Sequence, residues 1–350
     1  MTPAVSVLMT VHNGQPYVES ALRSVMEQSL RDIEIVVVDD ASTDDTPEVL
    51  QKLATEDPRL RIDTAETNLG VGAASNRGLG LCRAEYVARM DADDLSDPAR
   101  LETQKRYLET HSEVLLLGTS IHQIDAGGQH LRTSLRPRDA FATRWLARFQ
   151  YPLNHPSTMF RRLGPDGTPL LYDATMRTTL DYDFCARVLE RGEVACLPDV
   201  LLSYRVHGGS ISGTKYRHQS EAAKAIAARV QAHDLPAPLH GALAAFNRAF
   251  FDFAPADPAQ VFDGLRQVIA HDLKTHPDRR AWMLRQAAQL LATALKRSGQ
   301  GKGQILRAFL GAGRDFLPPL ALRLLETRQA LPAGWRTDPD IWQTPPEASR

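Results

Sequence analysis

At 350 residues, with 43% hydrophobic and 24% charged residues, the chain is long enough for two domains and has an ordinary soluble globular composition. A formal net charge of −1 gives no global attraction for nucleic acid, and the 3 cysteines (Cys82, Cys185, Cys196) lack metal-ligand spacing, which excludes a disulfide scaffold and suits a reduced compartment. No window reaches the roughly 18 apolar residues of a membrane span and no basic leader precedes the first strand, so no signal peptide and a cytoplasmic location are expected.

Residues 5–10 are a β-rich apolar run, followed by a His12-Asn13-Gly14 turn, with Pro16 expected as a first helical residue. Val18, Ala21, Leu22, Val25 and Met26 then recur at helical spacing. Residues 33–38 form a continuous β-branched strand of the kind buried on both faces of a parallel sheet, and it ends in Asp39-Asp40. Strand, helix and strand in this span make a βαβ unit, whose right-handed crossover places both strand-end loops on one edge. A helix at 47–54, a short strand at 60–63 and a glycine-bearing approach at Asn68, Gly70 and Gly72 follow. Residues 73–82 read as a small-residue helix packed closely on the sheet.

The chain then reaches its most informative stretch. A buried strand over 86–90 stops abruptly at Asp91-Ala92-Asp93-Asp94. Ligands of open α/β sheets sit beyond the carboxyl ends of strands, so acids placed there can hold something charged. Asp91 and Asp93, two apart on an extended segment, point the same way, and their hard oxygens suit Mg²⁺ or Mn²⁺, which would in turn hold a diphosphate. The plainer reading is a solvated turn in which Asp94, Ser96, Asp97 and Pro98 cap the helix expected over 98–111. A buried strand over 114–118, a Gly127-Gly128 turn and a basic mixed segment at 131–150 lying over the sheet come next. Asn154, His155 and Ser157 lie in a loop entering a strand, and Asp181 and Asp183 open a helix that stops at Gly192. Two short strands are expected at 194–197 and 200–206. From about residue 215, alanine, leucine and arginine dominate and prolines punctuate short helices, while 333–350 reads as a loose tail. The chain therefore divides into an α/β domain at 1–214, a helical region at 215–332 and the tail.

Taken together, residues 5–14, 38–44, 68–78 with Asp91-Ala92-Asp93-Asp94, and Asp181-Tyr182-Asp183 with Tyr204-Arg205-Val206-His207 resemble the family 2 glycosyltransferases in their order and spacing. The resemblance covers about residues 3–212 and implies the GT-A fold, a Rossmann-like mixed α/β sheet flanked by helices, here with a C-terminal helical extension. It implies an inverting transfer of a sugar from a nucleotide-sugar donor, UDP in the usual case, to a hydroxyl of a glycan or lipid-linked acceptor. Thr10 and Asp40, assisted by Asp39, would contact the nucleotide base, where a carboxylate can accept the N3 hydrogen of uracil. Asp93 would bind the metal, Asp91 the ribose or the metal, and Asn76 the phosphate or ribose, although Ser75 stands where an Arg is common. Arg205 and His207 match a segment near the diphosphate, with His207 a metal ligand or a phosphate donor. His155 falls near the acceptor pocket. Asp181 matches the general base of a Glu-Asp pair, but Leu180 replaces the Glu, so Asp183 is the alternative.

Two rivals stand beside this reading. A nucleotidyltransferase would want a basic glycine-rich loop after the first strand, and His12-Asn13-Gly14 supplies no cation. A noncatalytic sugar-nucleotide-binding or scaffolding protein takes its support from Leu180. A dinucleotide-binding dehydrogenase is disfavoured because no G-x-G-x-x-G follows the first strand. Near the C-terminus, Ile305, Phe309, Phe316 and Leu320 with Lys302, Arg307 and Arg314 could pack on the catalytic domain or a second subunit, or sit at the inner face of a membrane.

Overall fold

The computed structural model describes residues 2–137, 139–207 and 216–299. One compact unit ends at Tyr216 and another begins at Arg217. The basic surface expected at 305–320 and the tail at 333–350 lie outside the described residues.

The first unit opens with β1 (Val5–Val11), α1 (Val18–Met26), β2 (Ile33–Asp39), α2 (Thr46–Glu56), β3 (Leu60–Thr64), α3 (Val71–Leu81) and β4 (Tyr86–Asp91). It continues through β5 (Leu95–Ser96), α4 (Arg100–Thr110), β6 (Val114–Ile124), β7 (His130–Ser134), α5 (Ala140–Ala147), β8 (Met159–Arg161), α6 (Leu180–Leu189) and β9 (Glu193–Arg205). The described strands form one nine-stranded mixed sheet in the order β3-β2-β1-β4-β8-β6-β9-β5, with β7 paired to β6. β1 pairs in parallel with β2 and β4, so Val11 stands opposite Asp39 and Thr10 opposite Asp91. That register brings both acid-bearing strand ends to one edge, as the crossover rule requires.

Burial on both faces explains the β-branched runs. Val5, Val7, Met9, Ile33, Ile35, Val37, Ala88 and Met90 point into a core closed by Val18, Leu22, Leu50, Leu53, Leu101 and Leu108 of α1, α2 and α4. The opposite face carries Leu8, Val38 and Arg89 and receives α3. The close approach of α3 depends on Gly78. A Cβ at that position would overlap Leu8 Cδ1 and come within 3.0 Å of Val38 Cγ2. Gly78→Ala is therefore expected to lower stability by about 1–2 kcal/mol in chemical denaturation, because overpacking outweighs the roughly 1 kcal/mol that alanine gains in a helix.

Several elements differ from expectation, each for a local reason. α1 starts at Val18, because the Gly14 carbonyl accepts the N–H groups of both Tyr17 and Val18 and closes a turn that contains Pro16. In the stretch at 131–150, β7 joins the sheet as a hairpin partner of β6, turned at Gly128 with φ +86°, and α5 packs over the sheet against β9. Residues 193–205 are one strand, with Pro198 and Asp199 accommodated where the register jumps from Thr119–Leu197 to Ser120–Val200.

The second unit is helical: α7 (Tyr216–Asp234), α8 (Ala237–Ala242), α9 (Ala244–Phe251), α10 (Pro258–Asp272) and α11 (Arg280–Arg297). Phe246, Phe250, Val261, Leu265, Leu291 and Leu295 are buried within it. Asp257 caps α10 by accepting the Ala259 N–H, with Pro258 as first helical residue. No helix among the described residues is long and apolar enough to cross a membrane.

Candidate functional site

The end of β4 is the centre of the site. Asp91, Asp93 and Asp94 each place a carboxylate oxygen within 4.8 Å of the others. Asp94, expected as part of a helix cap, is fully buried. Its Oδ1 accepts the backbone N–H of Arg205 at 2.8 Å, and its Oδ2 has no partner among the described residues. Asp97 bonds the turn ahead of α4 through the Ala99 N–H, and the N-cap, Ala99, has no side-chain cap bond. Burial, and then the neighbouring Asp91 and Asp93, push the Asp94 carboxyl well above the usual carboxylate range. Asp93 is raised for the same first reason, with Asp91 next. A cluster of like charges with an unpartnered buried oxygen has the chemistry of a hard divalent-cation site.

The cluster is held from two sides. Arg205, at the end of β9, donates from Nε to the Asp93 carbonyl at 2.8 Å and from Nη1 to the carbonyls of Asp125 and Ala126. Its guanidinium lies 4.6 Å from the Tyr17 ring centroid. The His207 Nε2 lies 2.9 Å from Asp93 Oδ2, and its ring is tilted against Tyr17 at 5.0 Å. Behind the cluster, the buried Arg100 donates to the carbonyls of Arg89 and Thr158. Burial lowers its pKa to about 9 against the opposing pull of Asp94 and Asp91.

The end of β2 sits beside the end of β1. Asp39 is buried; its Oδ1 accepts the Ser42 N–H, and its Oδ2 has no partner among the described residues. Asp40 is also buried and is neither a helix cap nor a solvated turn. Its two oxygens accept the N–H groups of Leu69 and Gly70 at 2.7 and 2.9 Å, which fixes the loop ahead of α3 where Gly70 takes φ +83°. Thr10 Oγ1 accepts from Arg89 Nη2 at 3.0 Å.

Further site residues are carried by α3, the segment before α6 and α6 itself. Asn76 uses both ends of its amide on the backbone of Tyr172, at 2.8 Å each, so it pins the segment before α6 to α3. The Tyr172 hydroxyl lies 2.9 Å from His155 Nε2. Burial, reinforced by Arg89, lowers His155 to about 4, so its imidazole is neutral near pH 7. Asp181 is the second residue of α6; the N-cap is Thr179 in the left-handed region at φ 55°, so Asp181 is not the cap. Its Oδ1 accepts the Tyr182 N–H. Burial raises its pKa to about 6, with the negative charge of Asp91 adding to the rise and Arg136 opposing it. Asp183, the alternative base, is buried and ion-paired to Arg187 at 2.8 Å, four residues on along α6.

Sequence reasoning missed Arg89, Arg136, Tyr17 and Tyr172 as parts of this site. Of these only Arg89 carried a signal, as a charge in the middle of a run that otherwise reads as buried strand. The other three lie in segments without periodicity.

The profile for "Glycosyl transferase family 2" matches residues 6–168. Amylovoran biosynthesis glycosyltransferase AmsE of Erwinia amylovora is 34% identical over 209 residues, covering 57% of this chain and 75% of that protein. An uncharacterized glycosyltransferase, MJ1057 of Methanocaldococcus jannaschii, is 30% identical over 208 residues, covering 58% and 71%. The chain belongs to glycosyl transferase family 2. This glycosyltransferase shares its GT-A fold with S. aureus TarS residues 1–349, solved with UDP-GlcNAc, at a TM-score of 0.58 and 18% identity over 86% of this chain and 93% of that one.

Proposed function

We propose that this glycosyltransferase moves a sugar from a UDP-sugar to a hydroxyl acceptor with inversion, assisted by Mg²⁺ or Mn²⁺ at the β4 end. The observation that carries this reading is the convergence of Asp91, Asp93 and Asp94 on one point, together with a separate carboxylate, Asp181, whose affinity for protons is raised. Asp93 and Asp91, with His207 beside Asp93, would hold the cation, and the unpartnered Asp94 Oδ2 fits the same donor set. Bound there, a divalent cation would offset charge on the departing diphosphate.

The residues of the chain account for the remainder. Thr10, Asp39 and Asp40 lie at paired strand ends where a nucleotide base and ribose would dock, and the unpartnered Asp39 Oδ2 can accept a base N–H. Asn76 acts through Tyr172, fixing the segment before α6 instead of touching phosphate. Neutral His155 and the Tyr172 hydroxyl offer hydrogen bonds to sugar or acceptor hydroxyls without adding charge. Asp181 takes the proton from the acceptor hydroxyl as that oxygen bonds to the anomeric carbon and the bond to diphosphate breaks. One base and one displacement give inversion. The Leu180 side chain is buried and packs where a Cβ on Gly72 would meet it at 3.0 Å, so this position, where the family resemblance implies a Glu, serves here to close α6 on α3.

The test is release of UDP from a panel of UDP-sugars with Mn²⁺ and mixed hydroxyl acceptors. Acceptor-dependent release that chelator abolishes is the expected result. Binding of UDP without turnover across the whole panel would favour the noncatalytic alternative.

A further inference from the structure

Arg89 lies in the middle of β4 with its side chain 2% exposed. Its Nη2 donates to Thr10 Oγ1 at 3.0 Å and pairs with Asp91 Oδ1 at 2.8 Å, while Nη1 donates to the carbonyls of Leu8 and Met90. Leu8 and Thr10 stand opposite Arg89 and Asp91 in the parallel β1–β4 register, so one guanidinium spans the two adjacent strand ends. The planar fork of arginine can reach both partners at once, whereas an ammonium would satisfy fewer of them. Desolvating a guanidinium is costly, and a strand needing only packing would be apolar here, as its buried neighbours Val87, Ala88 and Met90 are.

We propose that Arg89 is a positioning residue for the donor site: it clamps the Asp91 carboxylate and the Thr10 hydroxyl at a fixed separation and offsets the charge of the acidic cluster. The inference rests on reading these strand ends as a metal-assisted nucleotide-sugar site. Two contributions then separate. The charge of Arg89 opposes a cation at Asp91 and Asp93, while its geometry presents Asp91 and Thr10 to the nucleotide. Arg89→Met removes both contributions; Arg89→Lys keeps the charge and loses the fork.

Calorimetry on the full chain reads each contribution, first with Mn²⁺ alone and then with UDP in saturating Mn²⁺. Arg89→Met is expected to bind Mn²⁺ about tenfold tighter, since a nearby positive charge is gone, yet to bind UDP about tenfold more weakly. Arg89→Lys is expected to hold Mn²⁺ within about threefold of wild type and still lose about tenfold in UDP. A role confined to packing would weaken both ligands together, or neither, and either result overturns the clamp. Should Arg89→Met fail to fold in a thermal scan, Arg89→Lys decides alone, and unchanged UDP affinity there overturns the proposal. Wild-type protein that binds neither Mn²⁺ nor UDP overturns the donor-site reading and the clamp with it, whereas wild-type binding with unaltered variants overturns the clamp alone.

Discussion

Asp181→Asn is expected to lower kcat by about a thousandfold while leaving UDP affinity in the presence of Mn²⁺ within about threefold of wild type, because a general base acts on the acceptor proton and contributes about 10²–10⁴ in rate. The amide keeps the shape of the side chain and can still accept the Tyr182 N–H, so the start of α6 is preserved. What is lost is the basic oxygen. Steady-state assay of the variant beside calorimetric UDP binding makes the distinction, and unchanged turnover would remove Asp181 from the mechanism and leave Asp183 to be tried. Asp183 is the weaker alternative because its carboxylate is buried and already bonded to Arg187.

The raised pKa of Asp181 adds two consequences of definite sign. The base must be ionised, so kcat/KM is expected to be flat above about pH 6 and to fall about tenfold per pH unit below it, measured with saturating metal. For stability the sign reverses. The folded-state value lies above the ordinary 3.8, so the folded protein holds this proton more tightly than the unfolded chain. The contribution favouring the fold is fully present below the unfolded pKa and is lost as pH rises through about 6. At pH 7–8 the carboxylate therefore costs stability, and Asn, which stays neutral, should recover about 1 kcal/mol, a figure reduced because Asp181 keeps partial solvent access. A variant that is more stable and nearly inactive would mark a residue kept for chemistry.

How much of this was legible in the sequence follows from which contacts are local. β1, β2 and β4 show through because burial on both faces demands continuous apolar residues, and the acids at 39–40 and 91–94 show through because they interrupt those runs. The extent of β9 does not, because Pro198 breaks the local pattern and only the bulge against β6 restores the pairing. β7 does not either: His130 and Leu131 are exposed, so half of its alternation is missing. The role of Asp40 was open to misreading because a carboxylate at a strand end looks alike in sequence whether it meets a ligand or the backbone of a loop 29 residues away. Asn76 and Tyr172 are 96 residues apart, and no periodicity connects them. Family resemblance supplied Asp181 as a candidate; its raised pKa required the fold.

Asp93→Ala is expected to abolish Mn²⁺-dependent UDP binding and to cut kcat/KM by at least about a thousandfold, because transition-state charge on the diphosphate would lose its counter-ion. Calorimetry with and without Mn²⁺ checks the first part; UDP binding that is unchanged by the substitution would refute metal holding at this position. The fold gives this variant its value as a probe. The bond from Arg205 to residue 93 goes to the backbone carbonyl, so truncating the side chain leaves the end of β9 tethered. Removing a like charge also relieves Asp94, whose carboxyl burial, then Asp91 and Asp93, push well above the usual carboxylate range, so the metal-free variant should melt no lower than wild type. Asp94→Ala would not separate the two effects. It would unpair the buried N–H of Arg205 beside the acidic cluster, so lost binding and lost folding would arrive together. The difference between adjacent carboxylates thus comes from where their bonds go. Asp93 ties itself to the sheet through its main chain and leaves its side chain for His207 and a cation, while Asp94 turns one oxygen to β9 and keeps only the other in reserve.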